Sequence, residues 1–198
     1  PAFGSRLLLP RLAAFRRLHP DIGLAIDTNR RQVDFPGDGV DLAIRMGTGN
    51  WPDLEATHLL TERLVPVCSP DLLKTLGRIV DPLARLKAAS LIHLATASDD
   101  WGTWLRGAGL GMVDPQRSLA VDTTDMAMDA ASRSLGIAIG RLPFVQTELD
   151  AGKLVMFCDP VVVAKTGYWL VGLPDTMKRP EVGAFRRWLL SELKSTGE

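Results

Sequence analysis

Arg45 is the side chain best placed for ligand chemistry in this chain. It follows an apolar run, Val40 to Ile44 with one aspartate, and precedes Gly47, Gly49, Trp51 and Pro52. A short apolar run cut by turn residues reads as a buried parallel strand ending at a loop. Ligands of open α/β sheets bind beyond the carboxyl ends of such strands. A fixed cation beside bare glycine backbone can clamp an anion there. The other reading makes Arg45 a structural pin, pairing with Asp41 or with a loop carbonyl across the seam between two lobes.

Other groups sit where helices begin and strands end. Ser5, after Phe3-Gly4, is expected to open the first helix. Its hydroxyl and the free N–H groups there can hold a carboxylate or phosphate, or simply cap the helix. Thr28, Asn29 and Arg30 follow an expected strand, Gly23 to Asp27, and form either a ligand-facing loop or a solvated turn. Thr123, Thr124 and Asp125 open another helix and mirror Ser5. Two helix N-termini facing across a cleft suit a small acid, whereas ordinary capping by Asp122 or Thr123 is the alternative. Trp101 and Trp104 share a helix face at i, i+3. Trp104 reads as core, and Trp101 as the roof of a cleft. Trp51 reads as a loop anchor rather than a pocket wall. His93 stands alone at a strand end, where a histidine is usually a hydrogen-bonded structural group.

Catalytic groupings are missing from the sequence. It has no Gly-x-Ser-x-Gly elbow, phosphate loop, dinucleotide fingerprint or zinc spacing. His19, His58 and His93 fall in three separate segments. Cys68 and Cys158 make no metal spacing and are expected as two buried thiols of a cytosolic protein, a single disulfide being the alternative. The sequence predicts no enzyme, no cofactor and no metal. With 23 basic and 23 acidic residues the formal net charge is zero, which argues against DNA binding by this chain alone. At 198 residues, 46% hydrophobic, the chain fits one domain or two small lobes. No apolar stretch approaches a membrane span, and no membrane partner is expected.

The elements that must position these groups alternate between helix and strand, so the class is α/β. Leu8, Leu12, Phe15 and Leu18 recur at helical spacing in the first helix. Leu42 to Met46 is the next expected strand. Ala56 to Leu60 and Leu64 to Cys68 read as a strand pair around Thr61-Glu62-Arg63. Ser69-Pro70 and Asp81-Pro82 open helices, and Asp99 caps a third, Asp100 to Arg106. Ser90 to Leu94, Leu119 to Val121, Gly136 to Gly140, Leu154 to Phe157 and Tyr168 to Val171 read as strands. Helices are expected from Thr123 to Arg133, Pro143 to Asp150 and Arg179 to Leu193. In the last of these, Val182, Phe185, Leu189 and Leu193 share one face.

The run DLAIRMGTGNWP (41–52) resembles the effector-binding domains of LysR-type transcriptional regulators, in particular the glycine-cleavage-activator-like branch. Four more stretches match in order: PAFGSRLLLPRLAAFRRLHPDIGLAID (1–27), LLTERLVPVCSPDLL (59–73), WGTWLRGAGL (101–110) and VDTTDMAMDAASRSLGIAIGRLPFV (121–145). One stretch departs from the pattern. Val33 to Gly39 holds a proline and two glycines where relatives have a helix-forming run, so that helix should shrink to about one turn.

The resemblance implies a two-lobed, periplasmic-binding-protein-like (type 2) fold, each lobe a mixed sheet flanked by helices. Regulatory lobe I would be 1–68 plus 167–198 and lobe II 69–166. It implies a small, anionic metabolite in the interlobe cleft, touched by Gly4, Ser5, Thr28, Asn29, Arg45, Trp101, Thr123 and Thr124. It implies a homodimer or tetramer, with Leu9, Ala13 and Arg16 of the first helix against Phe144 and Leu149 of a partner. DNA would be bound only through an N-terminal winged helix-turn-helix that this sequence does not contain, nor does it contain the strand that relatives place before Pro1. The implied location is the cytoplasm. The rival readings are a free solute-binding protein of a transporter and an enzyme on the same fold.

Overall fold

Two long strands, β2 (Glu55–Cys68) and β7 (Val162–Gly172), run through both parts of the architecture. The computed structural model describes residues 1–29, 33–35, 37–95, 99–113 and 117–194; the expectations for Arg30 and Pro36 lie outside them. The chain divides into two units, Pro1–Glu62 with Lys165–Glu198, and Arg63–Ala164. These divisions fall inside β2 and β7, six residues before the expected boundary after residue 68 and two before the one after residue 166.

The first unit opens with a π-helical segment, Phe3–Leu8, that runs into α1, Leu9–Leu18. The Leu9 N–H donates to the Gly4 carbonyl five residues back, just ahead of Pro10, which has no N–H to give. Ser5 is therefore inside the helix rather than its cap. Phe15 is fully buried, but Leu18 is 66% exposed, so the expected apolar stripe stops one turn early. Phe15 packs on Phe185 and Trp188 of α8, Pro180–Lys194, with ring centroids 5.4 and 4.9 Å away. In α8 the expected face, Val182, Phe185, Leu189 and Leu193, is buried.

Strand β1, Ala43–Gly47, pairs with β7, Val162–Gly172, from Ala43 opposite Val171 to Gly47 opposite Gly167. The pairing is antiparallel and β1 is mostly half-buried, which corrects the expected buried parallel strand. Gly23–Asp27 is no strand. Leu24 and Ile26 alternate as a strand should, yet both are exposed, at 40% and 42%, and no ladder forms on the segment among the described residues. A strand exists only with a partner, and alternation alone does not provide one. The described residues between 33 and 39 hold turns and no helix, as the proline and glycines there require.

Strand β2, Glu55–Cys68, is one 14-residue strand and not a pair. The polar Thr61-Glu62-Arg63 looked like a turn, but Glu62 is buried and accepts a 2.6 Å hydrogen bond from the Thr166 hydroxyl of β7. A side chain 104 residues away gives the buried carboxylate a hydrogen-bond partner within the sheet.

In the second unit β2 pairs antiparallel with β5, Ile137–Leu142, and with the short β6, Val155–Met156. Strand β5 lies parallel to β3, Ser90–Leu94, and β3 parallel to β4, Arg117–Val121. Parallel neighbours need crossover helices. These are α4, Asp100–Gly107, between β3 and β4, and α5, Thr124–Ser132, between β4 and β5. One core cluster collects Leu76, Leu86, Trp104, Leu105 and Ile139; it includes side chains from α2, Pro70–Leu76, and α3, Pro82–Ala88. A second cluster collects Val65, Val67, Met128, Ala131 and Leu154. Ser69, Asp81, Asp99 and Thr123 all cap helices as read from the sequence, each accepting from a backbone N–H two or three residues ahead.

Candidate functional site

In the first unit, Gly4 and Thr28 are neighbours. A Cβ built on Gly4 would lie 3.4 Å from the Thr28 methyl. Ser5 is exposed on the same helical segment, and its hydroxyl donates weakly to the Pro1 and Ala2 carbonyls at 3.4 and 3.5 Å. Asn29 is exposed, and its backbone N–H donates to the Asp27 carboxylate at 2.8 Å, closing a local turn. Gly4 and Thr28 thus meet directly, and Ser5 and Asn29 are their exposed neighbours in the chain.

Arg45 does not stand free beside them. Its guanidinium donates to the Val33 carbonyl at 2.9 Å and lies 5.6 Å from the Phe35 ring centre. It pins the 33–35 backbone within its own unit. Asp41, the other expected partner, pairs with Arg179 at 2.7 Å. The glycines after Arg45 are shaped for tryptophan rather than for an anion. A Cβ on Gly47 would come 2.9 Å from Trp51, and one on Gly49, at φ +93, would come 2.5 Å from Trp169. Trp51 and Trp169 meet edge to face at 6.3 Å, and the Trp169 indole N–H donates to the Gly47 carbonyl at 3.2 Å. Trp51 is thus a loop anchor.

In the second unit, the Thr123 hydroxyl caps α5 by accepting from the Met126 N–H at 3.1 Å, and Thr124 is half-buried beside it. Trp104 is fully buried with its indole N–H on the Pro160 carbonyl at 2.9 Å. Trp101 is also core, 6% exposed, with its N–H on the Ile92 carbonyl at 3.0 Å and its ring edge-on to Trp104. It forms a wall of a cavity of about 280 Å³ lined by His93, Asp100, Leu105, Val113 and Ile139 among others. Burial pushes the His93 imidazole below its ordinary value. Contrary to expectation, His93 makes no hydrogen bond within the described residues; its contact is with the Trp101 ring at 6.5 Å.

Sequence reasoning missed one pair altogether. Arg141, at the end of the apolar run Gly136 to Gly140, forms a buried ion pair with Asp100, the residue that opens α4. An arginine closing a fully buried strand requires a carboxylate, and that was the signal available. Of the residues expected at the dimer contact, Leu9, Ala13 and Arg16 are exposed on α1. Phe144 is a core residue, 3% exposed, because it turns inward just ahead of α6, Gln146–Asp150; Leu149 is half-buried against the second core cluster. Among the described residues no three His, Cys, Asp or Glu side chains group as a metal site, and no helix is long and apolar enough to cross a membrane.

The seven-stranded mixed sheet with flanking helices is an α/β periplasmic-binding-protein-like (type 2) fold, as in solved effector-binding domains. Residues 1–194 match the family model described as the LysR substrate binding domain, and this chain belongs to that family. It is 34% identical over all 198 residues to the glycine cleavage system transcriptional activator of Escherichia coli K12, and 36% identical over 189 residues, 94% of the chain, to the transcriptional activator AmpR of Providencia stuartii. The chain spans 64% and 62% of those two relatives. Both relatives are transcriptional activators, not enzymes. Among solved structures, the AmpR effector-binding domain from Citrobacter freundii superimposes with TM-score 0.83 at 28% identity, covering 98% of this chain and 95% of that one. The AmpR effector domain of Pseudomonas aeruginosa gives 0.82 at 30% identity, covering 98% and 92%.

Proposed function

We propose that this chain is the sensing part of a cytoplasmic transcription regulator, and that a small anionic metabolite binds between its two units. The observation that carries the reading is the match of all 198 residues to 64% of a transcriptional activator, together with the effector-domain fold. The chemistry is compatible with it. Gly4, Ser5, Thr28 and Asn29 offer a hydroxyl, an amide and small side chains on one unit, and Thr123 and Thr124 open α5 on the other, where free N–H groups and the helix dipole favour negative charge. Arg45 adds positive charge nearby in sequence while holding its loop. The metabolite would favour one arrangement of the units over another, and only to the extent that it binds the two differently. In the whole regulator that shift would reposition a DNA-binding part.

A screen of small carboxylic and phosphorylated acids by thermal unfolding tests the reading. A true ligand at a hundred times its dissociation constant adds about 2.7 kcal/mol of stability. Thr123→Val and Ser5→Ala should each remove that gain. A screen in which only neutral or cationic compounds stabilise the chain would overturn the anionic assignment.

The same reading includes a homodimer, with Leu9, Ala13 and Arg16 of α1 meeting the partner's segment 143–150, presented by its exposed residues and by Leu149. Phe144 would support that segment from within. Sedimentation should show a dimer that Ala13→Glu and Arg16→Glu weaken, because a carboxylate buried without a partner is costly. A native chain that sediments as a monomer at high concentration would sink this assignment.

A further inference from the structure

The exposed side of α1 carries positive charge that no described residue of its own chain answers. Its solvent stripe runs through Leu9, Ala13, Arg16 and Arg17, which recur at helical spacing and are all exposed, Leu9 at 56%. Neither guanidinium makes a hydrogen bond or an ion pair among the described residues. A leucine and an alanine on the same stripe set it apart from an ordinary solvated helix face.

The opposite pattern stands on α6. Its solvent side is Gln146, Thr147 and Asp150, all exposed. The Asp150 carboxylate accepts from the Gln146 amide at 2.8 Å, which holds it in place without neutralising its charge. No lysine, arginine or histidine pairs with it among the described residues. From Pro143 to Gly152 the chain holds two acids, Glu148 and Asp150, and no base. Leu149 lies between those acids, half-buried. A basic-apolar stripe and an acidic-apolar segment thus belong to the same chain, one on each unit. A two-fold axis lets each copy present both, so the match is made twice.

We propose that a second copy of this chain is recognised through an ion pair between Arg16 of one copy and Asp150 of the other, formed on both sides of the two-fold axis around Leu9, Ala13 and Leu149. The inference rests on the homodimer reading above and adds the charge match that selects this chain as its own partner. Arg17 lies one residue further round the helix and reinforces the field at that edge. Charges at the rim of an interface act on encounter and on the exclusion of wrong partners. A related regulator without one of these charges would pair less well with this chain.

Sedimentation of the whole chain tests the pair. Raising sodium chloride from about 50 to about 500 mM should weaken the native dimer about tenfold, since exposed charges are screened. A like-charge contact in place of an exposed ion pair costs about fivefold. It occurs twice, so Arg16→Glu and Asp150→Arg should each weaken dimerisation about 25-fold. An equimolar mixture of the two single variants should dimerise within about threefold of the native chain, because every introduced charge then faces its opposite on the other copy. The double variant in one chain should do the same. A contact within one copy would give no such rescue on mixing. A native chain that stays monomeric overturns this inference together with the dimer reading. A native dimer indifferent to salt and to both single variants, or single variants that stay apart when mixed, overturns the ion pair and leaves the dimer reading standing.

Discussion

Removing one partner of the buried Asp100–Arg141 pair should be the most damaging conservative change available in the second unit. The side chains are 10% and 3% exposed and 2.5 Å apart, on α4 and β5. Arg141→Met fills much of the same space and leaves the Asp100 carboxylate in a site built for an ion pair. The cost of breaking such a pair from one side is about 3–5 kcal/mol. Against a typical domain stability of about 5–15 kcal/mol, that is roughly a fifth of the total or more. Asp100→Asn should cost a comparable amount, since the guanidinium then stays buried beside a neutral amide. The double variant Asp100→Leu, Arg141→Met should recover most of the loss, because two apolar groups leave no charge to desolvate. Urea unfolding followed by tryptophan fluorescence reads this directly, provided the m-value stays constant across the series. A single variant costing less than about 1 kcal/mol would place the pair in the range of exposed ion pairs and refute the reasoning. A double variant less stable than both singles would refute it as well.

Other consequences follow from single positions. Gly49→Ala should destabilise by more than the roughly 1–2 kcal/mol of a left-handed backbone, because its Cβ would also strike Trp169 at 2.5 Å; a loss below that range in thermal unfolding would show the loop relaxing freely. Ser69→Ala removes both the cap on the Leu72 N–H and a 2.6 Å hydrogen bond to Ser134, so about 1–3 kcal/mol should be lost in urea titration, and a neutral result would be contrary. Burial, chiefly, pushes the thiols of Cys68 and Cys158 from 9.0 up to about 11. The unfolded chain gives up these protons before the folded one does. Stability should therefore hold below about pH 9 and fall as the pH rises toward about 11. Replacing both cysteines by alanine should flatten that slope, and an unchanged slope would assign it to other groups.

What could be read from the sequence alone was local. Ser69, Asp81, Asp99 and Thr123 were legible as caps because a cap acts on a backbone N–H two or three residues away. The buried face of α8 was legible because helical periodicity repeats within a few turns. The ordered stretches of family resemblance were legible as well, and with them the α/β class. Tertiary structure alone decided the rest, since each remaining choice turned on a partner distant in the chain. Gly23–Asp27 has strand alternation but forms no ladder among the described residues. Thr61-Glu62-Arg63 looks like a turn, yet it stays inside β2, where Thr166 gives the buried Glu62 a hydrogen bond. Gly47 and Gly49 look like an anion cradle and instead make room for Trp51 and Trp169. Arg45 is drawn to a carbonyl 12 residues back rather than to open solvent. Asp100 and Arg141 lie 41 residues apart and meet only because β5 runs beside β3, whose end leads into α4. Periodicity and capping are properties of neighbours along the chain, whereas burial and pairing of a charge are properties of neighbours in space.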